Sequence, residues 1–181
     1  MNINCKLLIP FIITFIFIGC SKDESELQIL SRKALSGDHR AQFDLGYMYH
    51  KGDQVSRNLQ QAIQWYMKSA DQGNPQAQRK LAQAYQKGKG VEKNLKNAID
   101  WYTRAAKRGY SKAQFDLGEL YGADKTVRHN LIISCMWFKI SSLYGYKPAI
   151  TRLEIISKEL NNEEHAQADK LTTEWLKNLQ R

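Results

Sequence analysis

One skeleton recurs along this chain three times at a spacing of 36 residues, and no other feature limits the fold so tightly. Ala41, Ala77 and Ala113 fall in register, as do Leu45, Leu81 and Leu117, and Tyr49, Tyr85 and Tyr121. Val55, Val91 and Val127 follow, then Asn58, Asn94 and Asn130, each with a leucine directly after it. Trp65, Trp101 and Trp137 recur too, each ahead of an aromatic: Tyr66, Tyr102 or Phe138. Gly37, Gly73, Gly109 and Gly145 mark the same interval four times. Agreement at so many positions without slippage defines a repeat array, in which no unit buries its own surface alone and each stacks on its neighbours.

Each unit reads as helix, loop, helix. Near residues 38 to 50, Ala41, Leu45, Met48 and Tyr49 keep the helical period and form one apolar stripe. Gly46 and Gly118, with Ala82 between them, put almost no side chain in mid-helix. That costs helix stability, so its recurrence predicts a closely packed neighbour. Gly52 and Gly88 suit a left-handed cap, where the third unit has Asp124. Asn58, Asn94 and Asn130 open the second helix. There Leu59, Ala62, Ile63, Tyr66 and Ala70 make one stripe, and Trp65 stands about 120° away from it at 100° per residue. Two apolar faces belong to a helix with two neighbours.

The units span residues 37–72, 73–108 and 109–144. Residues 24–36 supply half a unit, a capping helix with Leu27, Leu30 and Ala34 in the places of Ile63, Tyr66 and Ala70. Residues 145–181 start in register with Ala149 and Leu153 and then diverge. Thr173 stands where a tryptophan is due, Trp175 comes two residues late, and Asn161 with Glu164 makes a capping box that opens a longer closing helix.

Residues 1–19 stand apart. Lys6 precedes an uncharged run, Leu7 to Ile18, of about half the length a membrane span needs. It reads as a signal peptide. Its end, FIGC, resembles the lipobox of bacterial lipoproteins, which implies acylation at Cys20 with residues 20–23 as a short tether. Ser21 lacks the aspartate that disfavours outer-membrane sorting in two-membrane bacteria, so the expected location is the outer membrane, facing the periplasm. Cys5 then leaves with the leader and Cys20 carries lipid. Cys135 remains as a lone thiol without a disulfide partner, in the slot of Ile63 and Ile99, and is expected to be a small buried hydrophobe.

The net charge of +9 is unevenly spread. The middle unit alone carries +7, nine basic residues against two acidic, while the units on either side are within one charge of neutral. A local basic field steers acidic partners. An exported protein seldom meets nucleic acid, so none is expected as a partner. The field is otherwise only a solvated face.

The stretches AQFDLGYMY, GKGV and NAIDWYTRAAKRG resemble the Sel1-like repeat, a relative of the tetratricopeptide repeat, and the ending NNEEHAQADKLTTEWL is similar to the tail that closes many such arrays. The resemblance covers residues 24 to 179. It departs at Gln54, where a second loop glycine is expected, and in the third loop, GADKT, which lacks both glycines. It implies an all-α, right-handed α-α superhelical solenoid, a monomer that binds another protein along a concave face lined by the first helix of each unit.

On that face the expected lining is Arg40, Phe43, Tyr47 and His50 in the first unit, Arg79, Gln83, Gln86 and Lys87 in the second, and Lys112, Phe115 and Glu119 in the third. Aromatic and arginine side chains suit an interface hot spot. Phe43 and Phe115 also suit packing on the previous helix. The expected partner is a protein with an acidic segment; the alternative is lipid head groups or acidic glycans. A β-lactamase-like hydrolase is disfavoured, because no serine has a lysine three residues on. His39, His50, His129 and His165 lack ligand spacing, so no metal or cofactor is expected and no catalytic residue is assigned. Asp44 and Asp116 recur in register as structural or solvated positions rather than a catalytic pair.

Overall fold

An asparagine opens the second helix of every unit. Asn58 Oδ1 accepts the amide of Gln61 at 3.0 Å, Asn94 that of Asn97 at 3.0 Å, and Asn130 that of Ile133 at 3.1 Å. Each bond satisfies a first-turn donor that has no partner inside the helix. The backbone N–H groups of Asn58 and Asn94 donate in turn to the carbonyls of Tyr49 and Tyr85 at 2.9 Å, tying the start of the second helix to the end of the first. Gly52 and Gly88 close the first helices at φ 78° and 66°, the left-handed cap expected of them.

The computed structural model describes residues 25–123 and 130–179. The expected leader, Cys20 with its tether, Val127 and the third loop with Asp124 lie outside the described residues. Among those described, all regular structure is helical: α1 (Glu26–Leu35), α2 (His39–Lys51), α3 (Leu59–Asp71), α4 (Pro75–Lys87), α5 (Leu95–Lys107), α6 (Ser111–Ala123), α7 (Leu131–Leu143), α8 (Lys147–Ser157) and α9 (Asn162–Leu179). None of these helices is long and apolar enough to cross a membrane. The pairs α2–α3, α4–α5 and α6–α7 pack most extensively, and each also meets the next pair in the chain. The result is an all-α solenoid.

The small residues of the first helices sit where the partner helix presses a ring. A Cβ at Gly46 would stand 2.9 Å from Tyr66 Cδ1, and one at Gly118 would stand 2.6 Å from Phe138 Cε1. The tryptophans join units, as two apolar faces require. Trp65 packs against Ala34, Ala41 and Leu45, and Trp101 contacts buried clusters on both sides of α5. Trp137 is buried and meets Trp175 edge-on, ring centroids 4.6 Å apart. The late tryptophan of α9 thus closes the array on α7, while Thr173 is exposed.

A second periodic feature holds units together. Gln42 Nε2 donates to the carbonyl of Ala34 at 3.1 Å, Gln78 to Ala70 at 3.0 Å, and Gln114 to Ala106 at 3.1 Å. All three glutamines are buried. Each reaches back from a first helix to the end of the helix before it, where carbonyls lack intrahelical partners.

Loop shape survives the departure at position 54. Gln54 adopts φ 56°, close to the 77° of Gly90 in the next unit. A side chain at Gly90 would meet Leu59 O at 3.0 Å and Ile63 Cγ1 at 3.2 Å. Gln54 is exposed, so a side chain is accommodated there, although the backbone angle disfavours it.

Candidate functional site

Helices α2, α4 and α6 carry the expected lining, and the structure divides it into residues held internally and residues left available. Arg79 belongs to the first group. Its Nε lies 2.6 Å from Asp116 Oδ2 and its Nη2 3.1 Å from Oδ1, while Gln83 Nε2 reaches the same carboxylate at 3.4 Å. Burial pushes the Asp116 carboxyl upward against the pull of Arg79. Glu119 is engaged as well, accepting from Arg152 Nε at 2.5 Å. Gln86 accepts from the Tyr102 hydroxyl at 2.9 Å. Asp44, in register with Lys80 and Asp116, is exposed, so the two recurring aspartates divide into one solvated and one structural position.

Phe43 and Phe115 pack inward. Phe43 lies 5.7 Å from the Tyr66 ring, and Phe115 lies 5.4 Å from Phe138 and 5.2 Å from Tyr146. Arg40, Tyr47, Lys87 and Lys112 are exposed, and His50 is half-buried. Tyr47 holds cations over its ring: Lys51 Nζ at 5.7 Å and Lys80 Nζ at 5.5 Å, the latter from the neighbouring unit. Arg40 borders a shallow depression of about 480 Å³ shared with Phe43, Pro75 and Tyr110.

A smaller cavity of about 130 Å³ lies between α2 and α4. His50 borders it from α2, Lys80 and Lys87 from α4 and Lys89 from the loop, with Tyr66 and Leu59 of α3 between them. Burial holds His50 below its usual pKa, assisted by Lys80, Arg57, Lys51 and Lys89. Burial also lowers Lys80, with Arg79 and Lys51 adding to the effect. Sequence reasoning placed Tyr66 in the core, where its ring is, and overlooked its hydroxyl; Lys89 was not among the expected lining. The signal available was the change from Gln86 to His50 at the same register position.

Cys135 is fully buried among Phe138, Ala149 and Ile156, and burial raises its thiol pKa, which keeps it protonated and unreactive. No group of three His, Cys, Asp or Glu side chains among the described residues could hold a metal ion.

Known proteins share the repeat and the fold. The family model described as Sel1 repeat matches residues 39–74, 75–110 and 111–143. The solved structure of a Sel1 repeat protein from Oxalobacter formigenes is 35% identical and superposes with a TM-score of 0.63, covering 71% of this chain and 96% of that one. A protective antigen of uropathogenic Escherichia coli with an SLR fold is 28% identical with a TM-score of 0.53, over 84% of this chain and 41% of that one. Among curated relatives, the secretory immunoglobulin A-binding protein EsiB of E. coli is 40% identical over 43 residues. The putative sel1-like repeat-containing protein L18 of Acanthamoeba polyphaga mimivirus is 50% identical over 38. Those segments are 24% and 21% of this chain, which spans only 9% and 6% of the length of these two relatives.

Proposed function

The chain belongs to the Sel1 repeat family, whose members bind other proteins and are generally not enzymes, and on that basis we propose that it is a lipid-anchored adaptor of the bacterial envelope. In this reading Cys20 carries the anchor, the solenoid stands as a monomer at the outer membrane facing the periplasm, and an acidic segment of a partner protein lies along α2, α4 and α6.

The observation that carries the reading is the set of exposed cationic and aromatic groups left over once Arg79, Gln86 and Glu119 are engaged internally. Arg40, Tyr47, Lys87 and Lys112 remain, all on first helices. Tyr47 with Lys51 and Lys80 forms an aromatic and cationic patch at the junction of two units, the residue types that carry binding energy at interfaces.

Crosslinking in intact envelopes, with the solenoid as bait, tests it. One protein partner should be captured, and Arg40→Ala with Tyr47→Ala should lose it. Capture unaffected by both changes would sink the adaptor reading. The anchor has its own test: Cys20→Ser should release the chain from the membrane fraction, since stable attachment takes more than one acyl chain, and a variant still bound would refute lipidation.

A second reading has an observation in its favour. Lys93, Lys96, Lys107 and Arg108 are exposed on the loop and second helix of the middle unit. That surface would suit lipid head groups or acidic glycans. Neutralising these four should then reduce retention on anionic vesicles more than neutralising Lys87 and Lys112 does.

A further inference from the structure

The gaps between successive first helices share one plan, repeated at 36-residue intervals, but their contents differ. Between α4 and α6 the hydroxyl of Tyr102 donates to Gln86 at 2.9 Å. Between α6 and α8 the equivalent ring is Phe138, which has no hydroxyl, in a cavity of about 110 Å³ lined also by Ile155, Ile156 and Glu159. Between α2 and α4 the ring is Tyr66. Its hydroxyl is buried and has no hydrogen-bond partner among the described residues. The cause lies in the sequence: His50 stands in the position of Gln86, with its ring centroid 6.3 Å from that of Tyr66.

A buried hydroxyl without a partner is destabilising, so such groups call for an explanation. Here the surroundings supply one. The charges bordering this gap, on His50, Lys80, Lys87 and Lys89, are of a single sign or able to acquire it. In the next gap, by contrast, the position of Lys80 is taken by Asp116, so that gap already holds a carboxylate of the chain's own. Leu59, Ile63 and Ala84 give the first gap an apolar wall, with Gln83 beside them.

We propose that the gap between α2 and α4 receives a glutamate side chain from an acidic segment of the partner protein, its carboxylate accepting the Tyr66 hydroxyl and lying among Lys80, Lys87 and Lys89. The proposal rests on the adaptor reading and names the contact within it. An aliphatic stem ending in a carboxylate matches an apolar wall with a cationic rim. A bare phosphate would leave the Leu59 and Ile63 surface uncovered. Burial first, and cationic neighbours second, disfavour protonation of His50 and Lys80, and a bound carboxylate would oppose both effects.

The test uses the full chain with three probes: hexaglutamate capped at both ends, capped hexaglutamine, and inorganic phosphate. Hexaglutamate should shift the NMR resonances of Tyr66 and His50, and hexaglutamine should not. Tyr66→Phe keeps the ring and removes the donor. It should weaken hexaglutamate binding roughly tenfold to a hundredfold, the value of a hydrogen bond to a charged group, while the melting temperature stays level or rises. His50→Gln, which supplies the amide that Gln86 supplies next door, should weaken binding by competing for the same hydroxyl. No binding of hexaglutamate, equal binding after Tyr66→Phe, or equal displacement by phosphate would each overturn the proposal. The adaptor reading fails separately: if capture in envelopes is lost with Arg40→Ala and Tyr47→Ala but not with Tyr66→Phe, only the pocket falls.

Discussion

Arg79 of one unit forks onto Asp116 of the next, with Nε to Oδ2 at 2.6 Å and Nη2 to Oδ1 at 3.1 Å. The side chains are 21% and 15% exposed, so the pair is screened less than a surface ion pair. Gln83 adds a third donor to the carboxylate. An arginine that looks from sequence like a hot spot for a partner is here a fastener between α4 and α6.

Removing both members should therefore cost less than the two single losses added together. Arg79→Ala leaves a mostly buried carboxylate without its counter-ion and should cost about 1 to 3 kcal/mol. Asp116→Leu with Arg79→Met should cost less than the sum of the single changes. Urea unfolding of the full double-mutant cycle measures the coupling; purely additive losses would show that the pair contributes nothing.

Gly118→Ala should destabilise even though alanine is the better helix former. The propensity gain is about 1 kcal/mol, whereas a Cβ at 2.6 Å from Phe138 forces a buried ring to move, at about 1 to 3 kcal/mol. Gly46→Ala meets Tyr66 at 2.9 Å and should come out near neutral. Thermal melts that rank the two the other way would contradict the helix spacing described above.

Gln54→Gly should stabilise, an unusual direction for that change. A left-handed backbone costs a side-chain-bearing residue about 1 to 2 kcal/mol, and glycine's looser unfolded chain gives back about half of that. The net gain expected in urea unfolding is about 0.5 to 1 kcal/mol. Gly90→Ala should lose more than this, because it meets both the angle and the backbone of Leu59.

Trp137→Ala should cost about 3 to 5 kcal/mol and Trp101→Ala, which is only half-buried, about 2 to 4. Because neighbours support each other in a solenoid, each should lower the melting of the whole array rather than of one unit. A separate early transition confined to one unit would argue against that coupling.

His50 gives the fold a mild pH dependence. Its folded pKa lies below the ordinary 6.5, from burial first and then Lys80, Arg57, Lys51 and Lys89. Between that lower value and 6.5 the unfolded chain holds a proton that the folded chain has released, so stability falls as pH drops through this window. His50→Gln should abolish the slope and raise stability by about 1 kcal/mol, by giving Tyr66 an acceptor. Melting curves of both proteins across mildly acidic pH decide it.

What the sequence discloses is whatever repeats. Asn58 and Trp65 recur in all three units and Gly52 and Gly46 in two of them, so their roles stand out as a period in a single chain. Gln42, Gln78 and Gln114 repeat just as strictly and were legible on the same terms, but a polar residue beside an alanine draws no attention until its acceptor is visible. The site is harder for the opposite reason. Arg79 and Asp116 are 37 residues apart and occupy slots filled differently in other units, so no period announces the bond. Tyr66 is misleading in another way: the ring obeys the repeat, and the exception is one atom, because histidine stands at position 50 where the next unit has Gln86.

Those glutamine bonds also give the array a direction of growth. Each glutamine reaches toward the amino terminus, and the first is served by α1, which is no complete unit. Duplicating any 36-residue segment within residues 39–143 would supply the new copy with both a donor and an acceptor, leaving every junction closed. Past α7 the sequence breaks the rule, since Ile150 takes the glutamine's place and its side chain is exposed. The chain is therefore extensible from within, and lineages that lengthen it should carry their extra copies ahead of α8, where the series of glutamine bonds stops.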